Sequence, residues 1–166
     1  MNTLYLLRHA NAEPAGSGGD KERALSEHGL ETCQRISNYL QGDEITPDLI
    51  ICSSALRTRQ TLDAISPIWK AMPEVVYDDS IYESYSDIVQ TAIGNHTALY
   101  KDIMVIGHNP GLQDLALGLS NTPGATAHKD AMGNFAPGCM AKLYCDDEAW
   151  IQITPQKFSF LKFYNP

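Results

Sequence analysis

The sequence predicts an α/β protein, a three-layer α/β/α sandwich built on a mostly parallel central sheet. Three observations carry that prediction. Short apolar runs at Thr3 to Leu7, Asp48 to Cys52 and Ile103 to Ile106 read as strands buried on both faces. Segments with helical spacing alternate with them, the order that parallel strand–helix–strand units require. Polar residues gather directly after these strands, where such a sheet opens its ligand crevice.

Taken in order, the first strand gives way to a polar, glycine-bearing stretch, Asn11 to Lys21, that reads as a long functional loop. Ser26 is placed to cap a helix running to about Leu40. Leu30, Cys33, Ile36 or Ser37 and Leu40 recur there at helical spacing, and Gly42 follows as a stop. After the second strand, Ser53 or Ser54 is the expected cap of a helix whose apolar side carries Leu56, Leu62, Ile65 and Trp69, with Pro73 ending any continuation. Val75 to Tyr77 suggests a third strand, and about Ser86 to Tyr100 a mostly helical segment. Beyond Ile103 to Ile106, Asn109 is the expected cap and Pro110 the first residue of a helix that turns Leu112, Leu115, Ala116 and Leu119 inward. Asn121 to Pro137 reads as a loop or lid. Cys139 to Cys145 and Trp150 to Ile153, around an Asp-Asp-Glu turn, read as a terminal antiparallel hairpin.

A chain of 166 residues fits a single domain, 1–166, with one sizeable core. Its formal charge of -8 argues against holding nucleic acid or an anionic membrane by bulk attraction, so neither is an expected partner, and an anionic substrate must be caught by a local cluster. The few apolar residues before Arg8 are too short a run for a secretion signal, and no apolar stretch is long enough to span a bilayer. The expected location is the cytoplasm. Cys33, Cys52, Cys139 and Cys145 form no CxxC pair, so they read as small buried thiols rather than as a zinc site or disulfides.

The chemistry gathers at the strand ends. Arg8 and His9 follow the first strand, Arg57 lies one turn into the helix after the second, and His108 follows Ile103 to Ile106. An arginine offers a planar fork of donors that matches two phosphate oxygens, and helix N-termini add backbone N–H groups. Two arginines and two histidines converging there make a strong oxyanion site.

These residues fall in blocks. Leu7-Arg8-His9-Ala10 is followed by Glu13, then by Asp20 to Arg23 with Leu25-Ser26 and Gly29. Ser53-Ser54-Ala55-Leu56-Arg57 runs on to Gln60-Thr61. Tyr82-Glu83 and Val105-Ile106-Gly107-His108-Asn109-Pro110-Gly111 complete the set. In this the chain resembles the histidine phosphatase superfamily, of phosphoglycerate-mutase-like fold, and within it the SixA-like phosphohistidine phosphatase branch. The resemblance covers most of residues 3–120.

It implies a phosphatase that needs no cofactor and no metal and works through a phosphohistidine intermediate, on protein phosphohistidine or a small phosphomonoester. The implied partner is a phosphorylated protein or small phosphorylated substrate. His9 is the implied nucleophile, its other ring nitrogen tied to a backbone carbonyl of the following loop. Arg8, Arg57 and His108 surround the phosphoryl oxygens, with His108 expected to be protonated and Asn109 also lining the phosphate site. Glu83 is the candidate general acid and base, which calls for a partly buried carboxyl with a raised pKa; Glu13 and Asp20 are alternatives. Asp20 and Arg23 read equally as a loop ion pair or as substrate contacts. Ser53 and Ser54 lack a Gly-x-Ser-x-Gly elbow and read as caps, not nucleophiles. The competing functions are a catalytically inactive phosphate-binding or signalling module of the same fold, and a metal-dependent hydrolase using Asp20, His9 and Asp78 or Asp79.

Overall fold

The structure, a computed structural model, describes residues 2–120, 133–145, 150 and 158–166. Its chain order is β1 (Asn2–Arg8), α1 (Glu27–Gly42), β2 (Leu49–Ser53), α2 (Leu56–Ile65), β3 (Glu74–Asp78), α3 (Ser86–Gly94), β4 (Asp102–Gly107), α4 (Gly111–Leu119), β5 (Met140–Cys145) and β6 (Ser159–Tyr164). The strands form one sheet in the order β3-β2-β4-β1-β5-β6. The first four run parallel, β5 lies antiparallel to β1, and β6 antiparallel to β5.

Alternation along each central strand divides the apolar residues between two cores. Leu4, Leu6, Ile51, Ile103 and Val105 face α3 and α4 through Val89, Ile93, Leu112 and Leu115. Tyr5, Leu7, Ile50, Cys52, Met104 and Ile106 face α1 and α2 through Cys33, Ile36, Leu40, Leu62 and Ile65. Because helices cover both faces, every residue of the central strands from Leu4 to Leu7 and Ile103 to Ile106 is buried, which is why their sequences are continuous apolar runs. The result is the expected three-layer sandwich. No helix among the described residues is long and apolar enough to cross a membrane.

Several local expectations are corrected. Ser26 does cap α1, accepting from the Gly29 N–H at 3.1 Å, but Leu30 points outward at 55 % exposure. The buried face runs instead through Gly29, Thr32, Cys33, Ile36, Ser37 and Leu40. The residue at the cap of α2 is Ala55, with no side-chain cap bond, so neither Ser53 nor Ser54 caps it. Helix α2 ends at Ile65 instead of reaching Trp69, because Pro67 has no N–H with which to continue it and the chain passes into a short 3-10 turn. Helix α3 ends at Gly94, short of Tyr100; Thr97 turns its hydroxyl back onto the Gly94 carbonyl. The cap position of α4 is held by Pro110, and Asn109 spends its amide elsewhere. Strand β5 pairs with β6, and Trp150 is not in a strand; 151–153 and the Asp-Asp-Glu turn lie outside the described residues, as does most of the expected 121–137 loop. All four cysteines are buried free thiols.

Two glycines let backbones approach where a side chain would collide. A Cβ on Gly111 would meet the Ser84 carbonyl oxygen at 2.5 Å, and one on Gly29 the Asn11 carbonyl oxygen at 2.0 Å. Alanine ordinarily stabilises a helical position over glycine by about 1 kcal/mol. At Gly29 the sign is expected to reverse. Gly29→Ala should cost about 1–3 kcal/mol of overpacking, read as a fall in Tm of roughly 2–10 °C for a chain of this size. A raised Tm would show that the contact with Asn11 is not there.

Candidate active site

The parallel register brings the strand ends together. Arg8 is level with Gly107 across the β1–β4 ladder, so His9 and His108 leave adjacent strands side by side. Their rings lie 5.2 Å apart, and the His9 N–H donates to the Gly107 carbonyl at 3.1 Å. Cys52 is level with Ile106 across the β2–β4 ladder, which puts Ser53 beside the start of the His108 loop. Arg57, in the first turn of α2, reaches the same space from the β2 side. A pocket of about 280 Å³ opens there, lined by Arg8, His9, Arg57, Glu83, His108 and Asn109, with Asn11, Ala12, Arg23 and Pro137 completing its wall. All six sequence-predicted site residues therefore meet in one place. A larger, mainly apolar cleft of about 450 Å³ beside Leu40 and Trp69 shares no lining residue with it and holds none of this chemistry.

Arg57 is 1 % exposed and sits at the centre. Its Nε donates to His9 Nε2 at 3.2 Å. Nη1 donates to the Asp20 carbonyl at 2.8 Å. Nη2 faces the Asp20 carboxylate at 3.0 Å, Glu83 Oε1 at 3.3 Å and His108 Nδ1 at 3.3 Å. An arginine only donates, so the His9 and His108 nitrogens that it faces are bare. His9 Nδ1 lies 2.7 Å from the Ala10 carbonyl, which only accepts, so Nδ1 carries the ring proton and Nε2 a free lone pair. The tautomer is set from both sides. Ala10 is held in turn by its N–H to Thr61 Oγ1 at 3.1 Å, and Gln60 anchors the Leu25 N–H at 2.7 Å. The Gln60-Thr61 pair thus ties the 10–25 loop to α2.

Burial, against the Ala10 hydrogen bond and with Arg57, Arg8 and Arg23 nearby, pushes His9 down to about 4. Burial first, then His9 and Arg57, pushes His108 down to about 3. His108 is therefore neutral in the free protein, whereas the expected imidazolium concerned the phosphoryl-transfer step. Its Nε2 lies 2.8 Å from Ser53 Oγ.

Arg8 donates through Nη1 to the Phe135 carbonyl at 2.8 Å, and Asn109 through Nδ2 to the same oxygen at 2.9 Å. Asn109 is thus on the pocket wall with its Nδ2 committed to the protein, while its buried Oδ1 finds no partner among the described residues. Arg8 Nε is buried and finds no acceptor among the described residues, an N–H at the pocket with nothing to satisfy it. Glu83 stands in left-handed backbone, φ 45°, a conformation that costs a non-glycine residue about 1–3 kcal/mol. The turn aims it at Arg57. The expected burial is absent: its side chain is 53 % exposed.

Asp20 and Arg23, open from sequence between a loop ion pair and substrate contacts, form the ion pair. Asp20 accepts from Arg57, from Arg23 Nη1 at 3.0 Å and from the Tyr82 hydroxyl at 2.7 Å. The Tyr82 bond, then Arg23, holds its carboxyl well below the usual carboxylate range, so it is a fixed anion and not a proton donor. Arg23 adds a third guanidinium to the wall. Glu13 is exposed and does not line the pocket. The carboxylates of a metal reading do not converge, since Asp79 pairs with Lys21 and Ser54 while Asp78 bonds Ser80. The Asp20-x-x-Arg23 spacing, with Tyr82 beside Glu83, was the available signal.

Arginines and neutral histidines at the carboxyl ends of parallel strands define a histidine-based oxyanion site. The profile of the histidine phosphatase superfamily (branch 1) matches residues 4–132, and the chain belongs to that family. An uncharacterised protein of Mycobacterium tuberculosis is 26 % identical over 121 residues, covering 73 % of this chain and 74 % of its own. A structure provisionally named phosphohistidine phosphatase SixA, from Agrobacterium tumefaciens, is 27 % identical with TM-score 0.82 and covers 99 % of both chains. Another, from Nakamurella multipartitia, is 27 % identical with TM-score 0.86, covering 99 % of this chain and 96 % of that one. The protein histidine phosphatase SixA complexed with tungstate, at 17 % identity and TM-score 0.77 over 97 % and 95 % of the chains, shares the fold. The chain is an enzyme of the phosphatase class.

The two depressed histidines make stability fall with acid. An ordinary histidine titrates near 6.5, so between there and about 4 the unfolded chain takes up protons that folded His9 and His108 refuse. Their contribution is full above pH 6.5 and is lost as pH falls toward 4, whereas that of Asp20 is lost only below the ordinary aspartate value of 3.8. Thermal melts from pH 7.5 to 4.5 should show a falling Tm, and His9→Gln with His108→Gln should flatten it. An unchanged slope in the double variant would mean that these rings are not held neutral.

Proposed function

We propose that the enzyme hydrolyses phosphohistidine in a protein, or a small phosphomonoester, through a phosphohistidine intermediate on His9. The observation that carries this reading is the His9 tautomer: Nδ1–H bound by the Ala10 carbonyl, Nε2 bare and facing the Arg57 guanidinium in the pocket. In the first step the Nε2 lone pair attacks phosphorus and the bond from phosphorus to the leaving group breaks. In the second, water attacks phosphorus and the phosphorus–Nε2 bond breaks, releasing inorganic phosphate and restoring the Nε2 lone pair.

Arg8 Nε, which finds no acceptor among the described residues, and Arg57 supply donors to the phosphoryl oxygens. The 3.3 Å contacts of Arg57 Nη2 to Glu83 and His108 are the ones that yield to an entering oxygen. Glu83, at the pocket mouth, gives a proton to an oxygen leaving group and takes one from the attacking water. An imidazole leaving group departs more readily and asks less of it. A pocket of about 280 Å³ walled mostly by polar groups suits a phosphoryl group more than a large attached body, which supports a substrate presented from outside. The names of the two relatives at 27 % identity favour phosphohistidine as that substrate.

His9→Ala is expected to abolish hydrolysis of an aryl phosphate assayed without added metal. A labelled phosphoryl donor should leave acid-labile, alkali-stable label on the wild type and none on the variant; label that survives in His9→Ala excludes His9 as the nucleophile. Glu83→Gln should lower kcat/KM for an alkyl phosphate by about 100-fold or more and for phosphohistidine by less than about 10-fold. Equal losses on both substrates would remove Glu83 from the proton transfers.

A further inference from the structure

Ser53 reads from sequence as a helix cap and is not one. It is fully buried at the end of β2, and its hydroxyl lies 2.8 Å from His108 Nε2, the ring nitrogen that Arg57 does not face. The other ring nitrogen, Nδ1, accepts from Arg57 at 3.3 Å, so in the free protein Nε2 carries the proton and donates it to Ser53. That tautomer is the wrong one for catalysis. Once Arg57 Nη2 turns to a phosphoryl oxygen, a bare Nδ1 lone pair would face an anion.

We infer that Ser53 is a positioning residue that lets the neutral His108 ring reverse its tautomer: the hydroxyl accepts from Nε2–H in the free enzyme and donates to bare Nε2 when Nδ1–H is turned to the phosphoryl group. A serine hydroxyl does both, since it carries one donor and two acceptor sites and rotates freely. The proton count is unchanged, because one hydrogen leaves Nε2 and one arrives on Nδ1. The groups facing His108 favour this route over protonation. They are His9, the guanidinia of Arg57 and Arg8, the Tyr82 ring, perpendicular to it with centroids 5.4 Å apart, and, as the opposing charge, the Asp20 carboxylate already bound by Arg57 and Arg23. The inference rests on the phosphatase reading but is tested apart from it.

Threonine and valine at position 53 have nearly the same shape and differ in the hydroxyl, so they separate its role from packing. Ser53→Val is expected to lower kcat/KM for an aryl phosphate by about 10–100-fold, the effect of stranding one buried polar nitrogen. Most of the loss should fall in kcat, and Ser53→Thr should stay within about 3-fold of the wild type. The second readout is the ¹⁵N spectrum of His108, assigned by its absence in His108→Asn, in free enzyme and with saturating inorganic phosphate. The expected result is Nε2–H in the free enzyme and Nδ1–H, singly protonated, with phosphate bound. A doubly protonated ring in the phosphate complex, or equal activity in the valine and threonine variants, overturns the inference. If the wild type shows no His9-dependent turnover, the phosphatase reading fails instead, and the phosphate-bound spectrum still decides the role of Ser53.

Discussion

Arg57 is a guanidinium at 1 % exposure, and a charge taken that far from water must be met by acceptors on every side. Its acceptors are the site: His9 Nε2, the carbonyl and carboxylate of Asp20, Glu83 and His108 Nδ1. One side chain therefore selects the tautomer of two histidines and recruits Asp20, which accepts from it through both its carbonyl and its carboxylate. The 11–25 loop follows from this requirement. It folds over the pocket because Asp20 has to reach Arg57, and Tyr82 and Arg23 hold Asp20 there as an anion.

The sheet supplies the second half of the arrangement. Parallel pairing of β1 with β4 and of β4 with β2 makes three chain segments leave at the same edge, so residues far apart in sequence meet without any long-range device beyond strand register. The antiparallel strand β5 works on the same edge from the other side. The turn before it presents the Phe135 carbonyl to both Arg8 and Asn109, and the Gly138 N–H reaches the Arg8 carbonyl. Arg8 is thereby held with Nη1 bound and, among the described residues, Nε unspent. Preorganisation of this kind is what lets donors act on a developing charge without first reorienting.

Much of this was legible in the sequence because burial on two faces leaves a strong trace. Leu4 to Leu7 and Ile103 to Ile106 are apolar without interruption, and the first polar residue after each marks the strand end, which located Arg8, His9 and His108. Arg57 was found from its place one turn into the next helix. What escaped has no periodicity to betray it. Ser53 follows a strand and precedes a helix, the position of a cap, and only the neighbouring strand reveals that its hydroxyl belongs to His108. Asp20 and Arg23 lie in a loop whose path depends on the buried charge they serve. The neutral ring of His108 in the free protein was not legible, because residue identity alone does not show that burial and two arginines surround it. Strand β6 carries aromatics in Ser159–Tyr164 but was passed over for the nearer run at Trp150, and Leu30 fits the helical spacing of α1 while pointing at solvent.

The account stands on the claim that Arg57 and the Ala10 carbonyl together leave His9 Nε2 as the nucleophilic nitrogen. The most direct measurement is the site of phosphorylation within the His9 ring, read by phosphorus–nitrogen NMR correlation on the ¹⁵N-histidine-labelled phosphoenzyme trapped at low temperature. The predicted result is a phosphoryl group on Nε2 with Nδ1 still protonated. A phosphoryl group on Nδ1, or on any residue other than His9, would contradict the account.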